Sequence, residues 1–179
     1  MTAYSLHRQH ERDGTFFNGG DMKHKINDQL STICGELDII LTNVKTGKIR
    51  KKHYKNVFVT FGKNALAQVL AGQVVGDITY CALGTGTTAP AAGDTAMQTE
   101  IYRKLISVRS YSGNIATFEI FFTTAEANGS LREAGLFGNG VGRTASSTPG
   151  SGQLFCHTAI NRTKTTSDTL SIQWTVTIG

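Results

Sequence analysis

The sequence contains no long hydrophobic run. None of its apolar stretches approaches the roughly 18 to 20 residues that a membrane-spanning helix requires. The N-terminal stretch MTAYSLHRQHERDG also lacks the apolar segment of a secretory signal. We therefore expect a protein that is made and kept in a host cytoplasm before it reaches its final location, and that contacts no membrane.

Cysteines are few, and their spacing matches no known paired motif. The 179 residues include only 3 Cys, which are Cys34, Cys81 and Cys156, and no two of them form a C-x-x-C motif. An odd number of distant cysteines argues against both a disulfide framework and a zinc knuckle. Because a free cysteine behaves mainly as a small hydrophobic residue, we expect three reduced, buried thiols.

Proline and charge are also low, whereas glycine is abundant. The chain has 2 Pro and 17% charged residues against 20 Gly and 39% hydrophobic residues. This composition is typical of a β-rich globular protein and argues against disorder. Its length fits one domain with a substantial core. We predict an N-terminal arm over residues 1–33 and a single domain over residues 34–179.

Most of the domain shows the period-2 alternation of β-strands. The closing segment DTLSIQWTVTIG is the clearest case, and Gly113 and Asn114 form a two-residue hairpin signal between TEIYRKLISVRSYS and NIATFEIFFTT. Only GKNALAQVLAG has helical spacing, with Gly72 as its stop. The sequence predicts an all-β fold: an antiparallel β-sandwich or jelly roll of about eight strands with one short helix.

The arm is too apolar to be a merely solubilising tail. It shows no sustained period of 2 or 3.6 residues, so it has little core of its own. Arms of this kind commonly dock on neighbouring structure. We expect contacts with another subunit or a partner protein from its large apolar residues, which are Phe16, Phe17, Met22, Ile26 and Leu30.

A basic segment lies between Lys45 and Lys55, where KTGKIRKKHYK holds six Lys or Arg and no acid. Such a run can contact phosphates, and the candidate residues are Lys48, Arg50 and Lys52. Its alternation also fits a solvated or edge strand, on which lysines discourage stray pairing. We favour the second interpretation, so nucleic acid is a disfavoured partner.

No motif with catalytic chemistry has its required context. The loop GTGTTA matches the dinucleotide pattern G-x-G-x-x-A, but Pro90, Gly93 and Asp94 break the helix that such a site needs. No G-x-S-x-G motif is present. The candidate acids for a glycosidase are scattered along the sequence, at Glu100, Glu119, Glu126 and Glu133. The sequence therefore predicts a protein that is not an enzyme and has no catalytic residue, cofactor or metal.

Glu133 is the residue that most needs an explanation. In a strand over GSLREAGLFG, Glu133 shares one face with Leu131 and Phe137. A carboxylate half-buried among apolar side chains must be paired. We predict a structural ion pair with Arg103, bidentate if Arg103 lies on a nearby strand. The alternative is an exposed glutamate on a shallow edge strand.

The long segment GNGVGRTASSTPGSGQ is predicted to be a mobile surface loop or a loop that orders on assembly.

Four motifs together resemble a known family. They are G-T-G at 84–86, E-x-x-R at Glu100 and Arg103, N-G-x-x-x-E-x-G-L-F at 128–137, and W-x-V-x-I at 174–178. From about residue 35 to the end, the chain resembles tailed-bacteriophage virion proteins that are associated with the tail or tail fibre. The resemblance implies a non-enzymatic β-sandwich that assembles as a ring or trimer in the virion tail, at a baseplate, collar or fibre-attachment position. Its partners would be copies of itself and other virion proteins.

Two alternatives stay open. One is a capsid decoration or head-fibre protein. The other is a carbohydrate-binding module for a host-surface glycan, because jelly rolls often bind sugars. An exposed aromatic platform would favour sugar binding, and burial of Trp174, the single tryptophan, would disfavour it.

Overall fold

The structure is a computed structural model that describes residues 33–73 and 77–179. The five apolar residues of the arm that we expect to contact a partner lie outside the described residues. Their role stays a prediction.

The described residues form nine strands and one helix. In chain order these are β1 (Cys34–Asn43), β2 (Ile49–Phe58), α1 (Thr60–Leu70), β3 (Ile78–Gly84), β4 (Glu100–Leu105), β5 (Val108–Ser112), β6 (Ile115–Phe122), β7 (Gly129–Gly138), β8 (Gln153–Lys164) and β9 (Asp168–Thr177).

The strands form one curled antiparallel sheet. Their spatial order is β4-β3-β7-β8-β2-β1-β9-β6-β5, and the sheet bends into a half-barrel. β2 makes the bend, because it pairs with β1 along its length but with β8 only through Val57 and Phe58. The two halves of the sheet face each other across a shared core, which confirms the predicted all-β, sandwich-like fold.

The core is built by the alternation that the sequence shows. In β9, Leu170, Ile172, Trp174 and Val176 all point inward and are buried, whereas Ile178 lies beyond the strand and is exposed. Trp174 is fully buried, and its indole N–H donates to the Asn56 side-chain oxygen at 3.0 Å. Burial of an aromatic side chain of this size stabilises the fold by roughly 4 to 6 kcal/mol as an upper bound.

The segment predicted as one strand over TEIYRKLISVRSYS is two strands. At its centre, the N–H of Ile106 donates to Thr79 of β3, and the N–H of Ser107 donates to Glu119 of β6. The two bonds join adjacent residues to strands near opposite edges of the sheet. The chain therefore crosses between the edges here, and β4 pairs with β3 whereas β5 pairs with β6. The predicted turn between β5 and β6 is confirmed, with Gly113 at φ +56°.

The helix begins two residues before its predicted start and covers the end of the sheet at β8. Its Gly62 lies so close to β8 that a Cβ there would be 2.6 Å from the Phe155 carbonyl oxygen. After α1, Gly72 adopts φ +69°, as its predicted role as a stop requires. Over the described residues, no helix has the length and apolar character that crossing a membrane would require.

The cysteines follow the prediction in two cases of three. Cys81 and Cys156 are buried, and burial raises the pKa of the Cys81 thiol to about 12. Cys34 is exposed, so the prediction of a third buried thiol is wrong. It is the first residue of β1 and lies on the outward face of that strand, opposite to Leu37.

Candidate functional site

Glu133 lies in β7, near the middle of one half of the sheet, and only 1% of it is exposed. Its Oε1 accepts the backbone N–H of Gly86 at 3.0 Å and of Thr99 at 2.6 Å. Its Oε2 accepts the backbone N–H of Gln98 at 2.9 Å and lies 3.0 Å from the ring Nε2 of His157. We call this arrangement the Glu133 cradle. It excludes the alternative of an exposed glutamate on an edge strand.

His157 extends the cradle to a second carboxylate. Its Nδ1 lies 2.8 Å from Oδ2 of Asp94, which also accepts the N–H of Ala91. Burial acts to raise the pKa of Asp94, but the bonds from Ala91 and His157 outweigh it and lower that pKa overall. A histidine between two carboxylates donates to both only when each ring nitrogen carries a proton. The ring thus joins β7, β8 and the segment 85–99.

The glycines of the G-T-G motif make room for this carboxylate. A Cβ at Gly84 or Gly86 would lie 2.4 Å or 2.5 Å from Oε1 of Glu133. Only a residue without a side chain allows the backbone to approach so closely. The motif therefore serves a carboxylate of the protein itself, in agreement with the rejection of a dinucleotide site.

The predicted ion pair between Arg103 and Glu133 is wrong. β3 lies between β4, which carries Arg103, and β7, which carries Glu133. Two strand spacings separate the backbones by about 10 Å, and the two residues are also offset along the strands. Arg103 instead forms a bidentate pair with Glu100, from Nε to Oε1 at 2.6 Å and from Nη2 to Oε2 at 2.7 Å.

A bulge in β4 makes that pair possible. Glu100 and Arg103 are three residues apart, so a regular strand would place them on opposite faces. Gly84 opposes Glu100 while Leu83 opposes Tyr102, which leaves Ile101 as an extra residue. This single insertion returns Glu100 to the face of Arg103.

The Arg103 guanidinium also fixes a loop. Its Nη1 donates to the Ser151 carbonyl oxygen at 2.6 Å, and its plane lies 4.0 Å from the centre of the Phe137 ring. Glu100 accepts the N–H of Gly150 at 3.1 Å. The segment 146–151 therefore contacts its own sheet within one chain, and the prediction of a mobile or assembly-ordered loop did not include these contacts.

The two carboxylates have the same structural effect. Glu100 and Glu133 oppose Gly84 from its two sides, and each binds a long loop to the same face of the sheet. All the carboxylate oxygens have donors from within the chain. Over residues 33–73 and 77–179, no group of three or more His, Cys, Asp or Glu is arranged to hold a metal ion. The arrangement can position loops; it presents no open carboxylate to a substrate.

The candidate phosphate contacts lie on or beside β2 and differ in their surroundings. Lys48 and Lys52 are exposed, whereas Arg50 pairs with Asp168 at 2.9 Å. Burial acts to raise the pKa of Asp168, but hydrogen bonds from Thr165 and the Arg50 charge outweigh it and lower that pKa to about 2. This partner is distant in sequence, so the basic run alone did not reveal it.

Sequence reasoning missed most of the cradle. It did not connect His157 with Glu133, and it considered Asp94 only as a helix breaker. The one signal in the sequence was that it contains both the glycines Gly84 and Gly86, which allow a close approach of the backbone, and Glu133, which was predicted to be half-buried. Nothing in the local pattern linked them, because 47 residues separate Gly86 from Glu133.

No protein-family model, curated protein or solved structure matches this chain. The functional proposal therefore depends on the residues of this chain, their contacts and the motif resemblance described above.

Proposed function

We propose that the chain is a non-enzymatic structural subunit of a bacteriophage virion. It assembles as a ring or trimer in the tail, at a baseplate, collar or fibre-attachment position, and contacts copies of itself and other virion proteins. The observation that supports this proposal most is the Glu133 cradle, in which a buried carboxylate has four donors from its own chain. Such a group sets shape more than it performs chemistry.

Three of the four motifs that carry the family resemblance converge on this one region, whereas the closing W-x-V-x-I segment lies in the other half of the sheet, at β9. G-T-G supplies Gly84 and Gly86, E-x-x-R supplies the pair that holds segment 146–151, and the E-x-G-L-F stretch supplies Glu133. In these three motifs, the residues with a structural task in fixing loops on the sheet are Gly84, Gly86, Glu100, Arg103 and Glu133. Fixed loops on a rigid sheet suit a subunit that must present the same surface to every neighbour.

The outermost strands offer surface for self-association. In the described part of the chain, β4 and β5 have no strand partner on their outer sides. Exposed apolar side chains lie on and next to them, including Ile101, Leu105, Val108 and Tyr111. Such edges readily pair with another chain. This supports assembly, together with the apolar arm.

The alternatives differ in their support. A capsid decoration or head-fibre protein would use the same rigid fold, so solution behaviour alone does not separate it from a tail protein. The carbohydrate-binding alternative retains one favourable observation, which is that Tyr111 is 85% exposed. Trp174 has 0% exposure and provides no sugar platform.

The test is the solution mass of the purified protein with and without residues 1–33, measured by light scattering during size-exclusion chromatography. We expect a single oligomer for the full chain and a smaller species for the truncated chain. The near-ultraviolet circular dichroism of Trp174 serves as the control for intact packing. A monodisperse monomer in both cases would contradict the ring or trimer proposal.

A further inference from the structure

An apolar cavity of about 400 Å³ opens beside α1, at one end of the core. Both halves of the sheet and the inner side of the helix contribute to its wall. The apolar lining includes Ile33, Phe58, Leu66, Val69, Phe118 and Val176.

The cavity offers almost no polar partner. Among its lining residues only Asp77 and Arg109 are polar, and these two form an ion pair with each other. An apolar opening of this size gains stability by taking up apolar groups and gains little from water. Its volume is in the range of sites that hold a drug-sized molecule. This volume has room for roughly two aliphatic side chains.

Ile33 connects this cavity to the N-terminal arm. It is the first described residue, it lines the cavity, and it packs against the main core. The N-terminal arm therefore joins the described domain at the cavity wall. The sequence places Leu30 three residues before Ile33 and Ile26 seven residues before it. At no more than about 3.6 Å per residue, Leu30 lies within about 11 Å of Ile33 and Ile26 within about 25 Å.

We propose that this cavity is the docking site for residues 26–32 of the same chain, with the side chains of Leu30 and Ile26 as its occupants. Attachment at the cavity wall gives this segment an effective concentration in the millimolar range, which a free ligand or a neighbour's arm must exceed. Phe16 and Phe17 lie further from the tether and stay available for a partner. This docking occurs within one copy and takes Ile26 and Leu30 out of the five residues predicted to contact a partner.

Disulfide trapping tests the occupant directly. In a Cys34→Ser background, where the other two cysteines are buried, Leu30→Cys is combined with Val69→Cys on the cavity wall. We expect an intramolecular disulfide, visible as a faster band at monomer mass on a non-reducing gel. The matched control combines Gln29→Cys with Val69→Cys and should form the bond severalfold more slowly. Equal rates for the two pairs, or a covalent dimer as the main product, would overturn the proposal.

A dye whose fluorescence rises in apolar surroundings gives an independent measure. Removal of residues 1–32 should open the cavity and raise the fluorescence of 1-anilinonaphthalene-8-sulfonate severalfold, and Leu30→Asp should do the same in the full chain. Gln29→Asp is the control and should leave dye binding unchanged. The near-ultraviolet circular dichroism of Trp174 verifies that the fold is retained in each variant. An unchanged dye signal in the folded truncated chain, or a co-purified small molecule seen by native mass spectrometry, would refute the docking.

Discussion

Replacement of Glu133 by alanine tests the structural role of the cradle. The substitution leaves three backbone N–H groups and the His157 ring without their acceptor. An unsatisfied buried donor costs about 1 to 3 kcal/mol. The N–H groups of Gln98 and Thr99 are only partly buried and can regain water, so the costs do not simply add. We expect the free energy of unfolding to fall by about 3 to 5 kcal/mol, the range for breaking a buried charged network.

The glutamine variant separates charge from shape. In Glu133→Gln, one side-chain oxygen is retained and still accepts from Gly86 and Thr99. The new amide group donates to Nε2 of the His157 ring, which accepts when this nitrogen carries no proton and Nδ1 donates to Asp94. Only the Gln98 N–H then lacks an acceptor, so we expect a loss of about 1 to 2 kcal/mol.

Urea denaturation, followed by the fluorescence of Trp174, measures both variants. With a slope of about 2 kcal/mol/M, the alanine variant should lower the midpoint by about 2 M. Glu119→Gln is the matched control, because Glu119 is exposed on β6, and it should change stability by no more than about 0.5 kcal/mol. Hydrogen exchange at Gly86 and Thr99 reports the local effect and should accelerate in Glu133→Ala alone among the three variants.

One result would contradict a structural role for the Glu133 carboxylate. If Glu133→Ala loses less than about 1 kcal/mol and the amides of Gly86 and Thr99 stay protected, the carboxylate does not hold segment 85–99. The loop would then owe its position to other contacts, and the main support for a structural role of Glu133 would be gone.

Three further outcomes are expected. Gly86→Ala should cost about 1 to 3 kcal/mol, because its Cβ would lie 2.5 Å from Oε1 of Glu133 and 2.6 Å from Cβ of Gln98. Gly93→Ala, whose Cβ would have nothing within 4 Å, should be nearly neutral in the same thermal melt. Glu100→Ala should cost about 3 to 5 kcal/mol, since it leaves the Arg103 side chain, with 0% exposure, as an unpaired buried charge; retention of the wild-type melting temperature would contradict this. The pKa of Asp168 is lowered to about 2 in the fold, so its contribution is complete above the unfolded value of 3.8 and disappears as pH falls towards 2. Urea midpoints measured across this range should therefore decline less steeply in Asp168→Asn than in the wild-type protein.

The sequence by itself determined the fold class and most of the elements, but not the division of TEIYRKLISVRSYS into β4 and β5. Alternation placed the inward side chains of β9 correctly, and helical spacing with Gly72 located α1. The two-residue turn at Gly113 fixed the hairpin of β5 and β6. These features follow from periods of 2 or 3.6 residues and from the conformational freedom of glycine, so the information is contained within a few neighbouring residues.

Only the tertiary structure decided which groups meet. The sequence established that Glu133 requires a partner, but not that the partners are backbone amides 34 to 47 residues away, with His157 opposite. The prediction paired Arg103 with the wrong carboxylate. Neither the position of β3 between β4 and β7 nor the bulge at Ile101 can be recognised from neighbouring residues in the sequence. Whether two side chains meet depends on strand order and register, and both are set by the packing of the whole sheet.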